Sequence, residues 1–153
     1  MGEAGAVCGG GGVAPDAPTI MRSGRCLCGR VNCQCSGAVG PTSYCHCSDC
    51  RRATGSAFNI GVRVRTDAFS IAGPIRAFTK TGDSGNPLSR HFCSECGSPI
   101  YTSSPQHPEY VFVKAGTLDD PEIPAPSHEI WTDSRVPWSR IPADIERYRR
   151  GPK

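Results

Sequence analysis

Phe58-Asn59-Ile60-Gly61-Val62-Arg63-Val64-Arg65 is the cleanest period-two run in the chain. Phe58, Ile60, Val62 and Val64 alternate with Asn59, Gly61, Arg63 and Arg65, as expected of a strand with one face turned to a core. Around this run, further short strands are readable. Val31, Cys33 and Cys35 alternate with Asn32 and Gln34. Leu88–Phe92, Tyr110–Lys114 and His128–Trp131 read as further strands. Phe69–Ile71 and Ile75–Phe78 flank the turn pair Gly73-Pro74 and are expected to pair across it. Helical signal is sparse: a turn or two from Cys50 to Thr54 ended by Gly55, and a short helix opened by Pro142 through Ile145. With 18 glycines and 14 prolines in 153 residues, the chain favours short strands joined by turns. The fold class is therefore mainly β, a single domain of antiparallel strands with little helix.

Seven of the ten cysteines fall into close sets: Cys26-x-Cys28, Cys45-x-Cys47-x-x-Cys50 and Cys93-x-x-Cys96. Spacings of one or two residues let neighbouring thiolates converge on one ion, as in tetrahedral zinc sites. Pairing Cys26/Cys28 with Cys93/Cys96 makes a closed four-thiolate site that crosslinks distant segments, where closure of a long loop stabilises most. The alternative is that these knuckles bind separate ions, or none. Cys45, Cys47 and Cys50 would hold a second Zn2+ with a place left for water or substrate, and such an ion is labile. It can lower the proton affinity of an external thiol or polarise a carbonyl. Closure by His46, His91 or His128 is the competing arrangement, and His46 can instead support the ligands from behind.

Other residues are more ambiguous. Arg51 and Arg52 follow the three-cysteine set and suit substrate carboxylates, although solvated arginines are as common. Trp131 and Trp138 fit a pocket wall or, preferably, the core. Cys33 and Cys35 read as small core residues, with exchangeable metal ligands as the second choice.

Residues 1–23 read as a disordered leader containing the glycine run 9–12 and the isolated Cys8; Met21 is a candidate start. Residues 24–148 form the zinc-binding β domain, and 149–153 a flexible basic tail. The glycine run is not a phosphate loop, since no Lys-Ser/Thr follows. A formal charge of +3 does not demand nucleic acid. No apolar run approaches bilayer length, and no secretory signal is visible. Reduced cysteines in a cytoplasmic metalloprotein are expected, rather than disulfides.

Gly24-x-Cys26-x-Cys28-Gly29-x-Val31, then Cys45-His46-Cys47-x-x-Cys50-Arg51-Arg52-x-x-Gly55, then Ser84-Gly85 and Arg90-x-Phe92-Cys93-x-x-Cys96-Gly97, occur in that order. Together they resemble the glutathione-dependent formaldehyde-activating enzyme family, which also includes centromere protein V. The resemblance spans roughly residues 24–138. It implies a tent-like β fold of two packed sheets, a structural zinc on Cys26, Cys28, Cys93 and Cys96, and a catalytic zinc on Cys45, Cys47 and Cys50. It also implies condensation of formaldehyde with glutathione to S-hydroxymethylglutathione, carbon–sulfur lyase chemistry in reverse. The expected reactants are thus a small-molecule thiol and an aldehyde, with Arg51 or Arg52 meeting the carboxylates of glutathione. The alternative function is a non-catalytic zinc module that binds protein or nucleic acid.

Overall fold

In the computed structural model, which describes residues 20–151, the run at 58–65 supplies the centre of the larger of two sheets. The strands are β1 (Met21–Arg25), β2 (Asn32–Ser36), β3 (Thr42–Cys45), β4 (Asn59–Arg65), β5 (Phe69–Ala72), β6 (Ile75–Thr81), β7 (Pro87–Cys93), β8 (Pro99–Ser103), β9 (Tyr110–Lys114), β10 (His128–Ile130) and β11 (Glu146–Arg147). One α-helix, α1 (Ser48–Thr54), joins β3 to β4. Three strands form a small sheet in the order β1-β2-β5, and eight form a large one in the order β11-β10-β3-β4-β9-β8-β7-β6. The fold is mainly β with antiparallel sheets, as the turn-rich composition implies; only β10 pairs in parallel, with β3 and β11.

Alternation in β4 sorts the two faces of the large sheet. Val62 and Val64 stand opposite Val113 and Val111 of β9. With Cys35 and Leu118 they form one buried cluster, which joins the large sheet to the small one. Cys26, Val31, Cys33, Cys93 and Ile100 make a second. Cys33 and Cys35 are thus core side chains, and burial pushes the Cys33 thiol up to about 12. Burying these apolar groups contributes roughly 25 cal/mol per Å². The other face of the large sheet is free to build a site.

The structure departs from the sequence expectations in several places. β5 and β6 do not pair. β5 stays beside β2, whereas β6 joins β7 in the other sheet. The turn between them passes hard against β2: a Cβ at Gly73 (φ +117°) would fall 2.2 Å from the Arg30 carbonyl oxygen. Gly73-Pro74 is therefore a crossing point between sheets. No helix forms at 142–145; the chain turns there so that Arg147 can reach Glu129 from β11. Met21, Arg22 and Ser23, assigned above to the leader, pair in β1 with β2. Arg149 and Arg150, assigned to the loose tail, accept backbone hydrogen bonds from Asp133 and Trp131. The glycine run and Cys8 lie outside the described residues.

Candidate metal centres and the adjoining cavity

Two sets of thiols converge. In the first, Cys26 and Cys28 lie in the tight turn after β1, where Cys26 N donates to Val31 O at 3.0 Å and Gly29 N to Cys26 O at 3.1 Å. Cys93 ends β7, and Cys96 lies in the turn that follows, where Gly97 N donates to Cys93 O at 2.9 Å. The two knuckles face each other from different sheets. The Sγ atoms of Cys26 and Cys28 are 3.5 Å apart, and those of Cys28 and Cys93 3.8 Å. Two sulfurs on a tetrahedral zinc, with bonds of about 2.3 Å, lie about 3.8 Å apart. All four thiols lie within 4.8 Å of one another, so the set fits a closed zinc site. Backbone donors support it: Val31 N donates to Cys26 Sγ at 3.2 Å. The Ser98 side chain and backbone draw the Cys96 thiol down to about 5, toward the thiolate a metal requires.

In the second set, β3 delivers Cys45, and α1 delivers the others. Cys47 caps the helix, its sulfur accepting from Cys50 N at 3.3 Å. Gly55 closes the helix in the left-handed region at φ 64°. The helix that sequence placed from Cys50 thus begins two residues earlier and uses a ligand as its cap. The three sulfurs lie within 4.8 Å of one another, and among the described residues no histidine or carboxylate joins them. Hydrogen bonds from the Cys45 and then the Cys50 thiol draw Cys47 down to about 2. The complementary hydrogen bonds, with burial, push Cys45 up. Three thiols sharing protons in this way suit a soft divalent ion that replaces them.

The candidate fourth ligands are placed elsewhere. His46 is fully buried and donates Nε2–H to Glu129 Oε2 at 2.7 Å, and among the described residues its Nδ1 has no partner. Glu129, also fully buried, accepts from Arg147 Nε at 2.6 Å and lies 3.5 Å from Arg135. His91 stacks on Tyr101 at 4.0 Å and meets Ser103. His128 meets Ser127 and the Tyr148 ring.

The three-cysteine set opens into a cavity of about 180 Å³. Its floor follows from sheet register. Ser43 and Cys45 of β3 stand beside Gly61 and Asn59 of β4, Gly61 beside Lys114 of β9, Phe112 beside Thr102 of β8, and Thr102 beside Arg90 of β7. All of these line the cavity, with Ile130, Trp131 and the β6–β7 turn at Gly82, Asp83 and Ser84 around the rim. In β4, Asn59 and Gly61 therefore help to make the site while Val62 and Val64 make the core.

Arg51 and Arg52 do not line this cavity. Arg52 faces an adjoining depression with Phe78 and Lys80, and Arg51 Nε is buried without a partner among the described residues. The cations that do line it are Arg90 and Lys114. Trp131 walls the cavity and Trp138 is exposed, so neither tryptophan completes the core. Lys114, Asn59, Arg90 and Glu129 are functional candidates that sequence reasoning passed over. The available signal was a full charge at the end of an otherwise apolar strand (Lys114) and inside another (Glu129).

A family model described as glutathione-dependent formaldehyde-activating enzyme matches residues 21–134. The chain belongs to that family. A Halomonas elongata protein, provisionally named as a glutathione-dependent formaldehyde-activating enzyme, is 29% identical over 132 residues, covering 80% of this chain and 82% of its own. A crystal structure of a Rhodobacter sphaeroides protein shares the fold, with a TM-score of 0.51 and 22% identity. It covers 67% of this chain and 97% of that one. Among the described residues, no helix is long and apolar enough to cross a membrane.

Proposed function

We propose that this protein joins a thiol to a small aldehyde, formaldehyde with glutathione giving S-hydroxymethylglutathione, in the cavity beside Cys45, Cys47 and Cys50. The observation that carries the reading is the inequality of the clusters: one has four thiols and closes on itself, the other has three and opens onto a cavity. Zn2+ on Cys45, Cys47 and Cys50 would supply an open position that favours the thiolate form of an incoming thiol. The chain does the rest. Arg90 provides positive charge for the carboxylates of the thiol, and Lys114 adds a second positive charge to the cavity. Trp131, Phe112 and Leu88 supply apolar walls that exclude water. Holding both reactants in one small space turns a bimolecular addition into a local one.

Because formaldehyde and glutathione also combine unaided, the test is exchange spectroscopy at equilibrium. The reading predicts that the zinc-loaded protein speeds exchange above buffer and that Cys47→Ser removes the excess. Equal exchange in buffer, wild type and variant would refute it.

A further inference from the structure

A lysine with an unusual setting lines the same cavity as the three thiols. Lys114 ends β9, is only 8% exposed, and makes one hydrogen bond, from Nζ to Asn59 Oδ1 at 2.8 Å. Among the described residues it has no salt-bridge partner. An ammonium carries three donors, so two hydrogens are left for whatever occupies the cavity. Burying an unpaired charge is costly, and a strand position opposite Gly61 could have held an apolar residue without that cost. Gly61, the register partner of Lys114 on β4, adds no side chain to the cavity floor. Asn59 holds the group in place from the neighbouring strand. Burial, joined by the like charge of Arg90, pulls the ammonium below its usual range, while thiolate charge at Cys50, Cys45 and Cys47 opposes that shift. It lines the same cavity as the cluster.

We propose that Lys114 is the catalytic residue that receives the aldehyde oxygen. The inference rests on the thiol–aldehyde reading above. As the thiol sulfur adds to the carbonyl carbon, the carbon–sulfur bond forms and the π pair of the carbonyl moves onto oxygen. That oxygen takes a proton from the Lys114 ammonium, and the proton released by the thiol restores it. Thiol and aldehyde thus give the hydroxymethyl thioether with nothing left over. The division of labour has an electrostatic reason. Three thiolates already over-neutralise a dication, so charge developing on oxygen needs a separate positive partner. A fixed donor in a small, water-poor cavity supplies it without reorganisation.

The experiment compares wild type, Lys114→Met and Lys114→Arg as zinc-loaded proteins. Four quantities are read: catalysed exchange at saturating glutathione and formaldehyde, glutathione affinity by calorimetry, zinc per chain, and thermal midpoint. Loss of one oxyanion donor costs on the order of 100-fold in rate, and that loss is expected for Lys114→Met. Glutathione affinity and zinc content should stay within about twofold, and the thermal midpoint should hold or rise because a buried charge is gone. Lys114→Arg should recover part of the rate. Wild-type exchange no faster than buffer would overturn this proposal together with the reading it rests on. Catalysis in wild type that survives in Lys114→Met would overturn the proposal alone. A parallel fall in glutathione affinity would make Lys114 a carboxylate anchor, and loss of the second zinc would make it a counter-charge; either also overturns the proposal. If Lys114→Met does not fold, Lys114→Gln, which keeps a donor without the charge, is read by the same criteria.

Discussion

The two cysteine clusters use the same local device but draw their ligands from different parts of the chain. Each takes closely spaced thiols from turns whose backbone N–H groups point at sulfur. The first draws its pairs from the end of β1 and the end of β7, which belong to different sheets. The second draws all three thiols from one continuous segment, residues 45–50, on one face of the large sheet. A crosslink between distant segments stabilises the fold because it closes a long loop. A clamp within six residues closes almost none. By this argument a metal on the second cluster would give little to global folding, in keeping with the open position proposed for it. Under the proposed function, what would separate a structural from a reactive metal centre is where the ligands come from in the chain.

That contrast can be broken experimentally. The largest effect is expected at the first cluster: Cys93→Ser, or stripping both metals with a chelator, should abolish the cooperative thermal transition. Cys47→Ser should instead retain a native circular dichroism spectrum and a cooperative transition while losing one zinc per chain and the catalysed exchange. Equal destabilisation by the two serine variants would erase the distinction drawn here.

Glu129→Leu sharpens it further. This substitution leaves His46 and Arg147 without their buried partner, and should cost about 3–5 kcal/mol in denaturant unfolding. It should also speed zinc loss from the second cluster more than from the first, because His46 stands between two of its ligands. Ile100→Ala, in the apolar cluster beside the first site, should cost about 2–5 kcal/mol and leave zinc exchange at the second unchanged. The smallest effect is expected from Gly61→Ala. Its Cβ would meet Asn59 Nδ2 at 3.4 Å and Phe112 Cβ at 3.8 Å, a tolerable fit. Stability should move by less than about 1 kcal/mol while glutathione affinity falls severalfold.

Much of this arrangement was legible in the sequence, and the limits have physical causes. The cysteine sets were readable because short spacing constrains geometry directly, whatever the fold. The strand at 59–65 was readable because period-two alternation is local. The fate of Gly73-Pro74 was not, since whether a turn closes a hairpin or crosses between sheets depends on what lies against it. Here that is the backbone at Arg30 and Val31. Arg51 and Arg52 looked like substrate cations through proximity to the ligands along the chain, yet a helix turns successive residues about 100° apart, and both leave the cavity. Arg90 and Lys114 enter it from strands distant in sequence. Their shared face emerges only from register across β7, β8 and β9. Glu129 was hidden for the same reason, since its partners come from residues 46, 135 and 147.

Crystals of the zinc-loaded protein soaked with glutathione, with anomalous data at the zinc edge, would confront the account with its most direct test. It predicts an ion on each cluster, with the glutathione sulfur beside Cys45, Cys47 and Cys50 and a carboxylate toward Arg90. A protein side chain completing the second ion's shell in the presence of glutathione, or those three cysteines oxidised to one another, would contradict it.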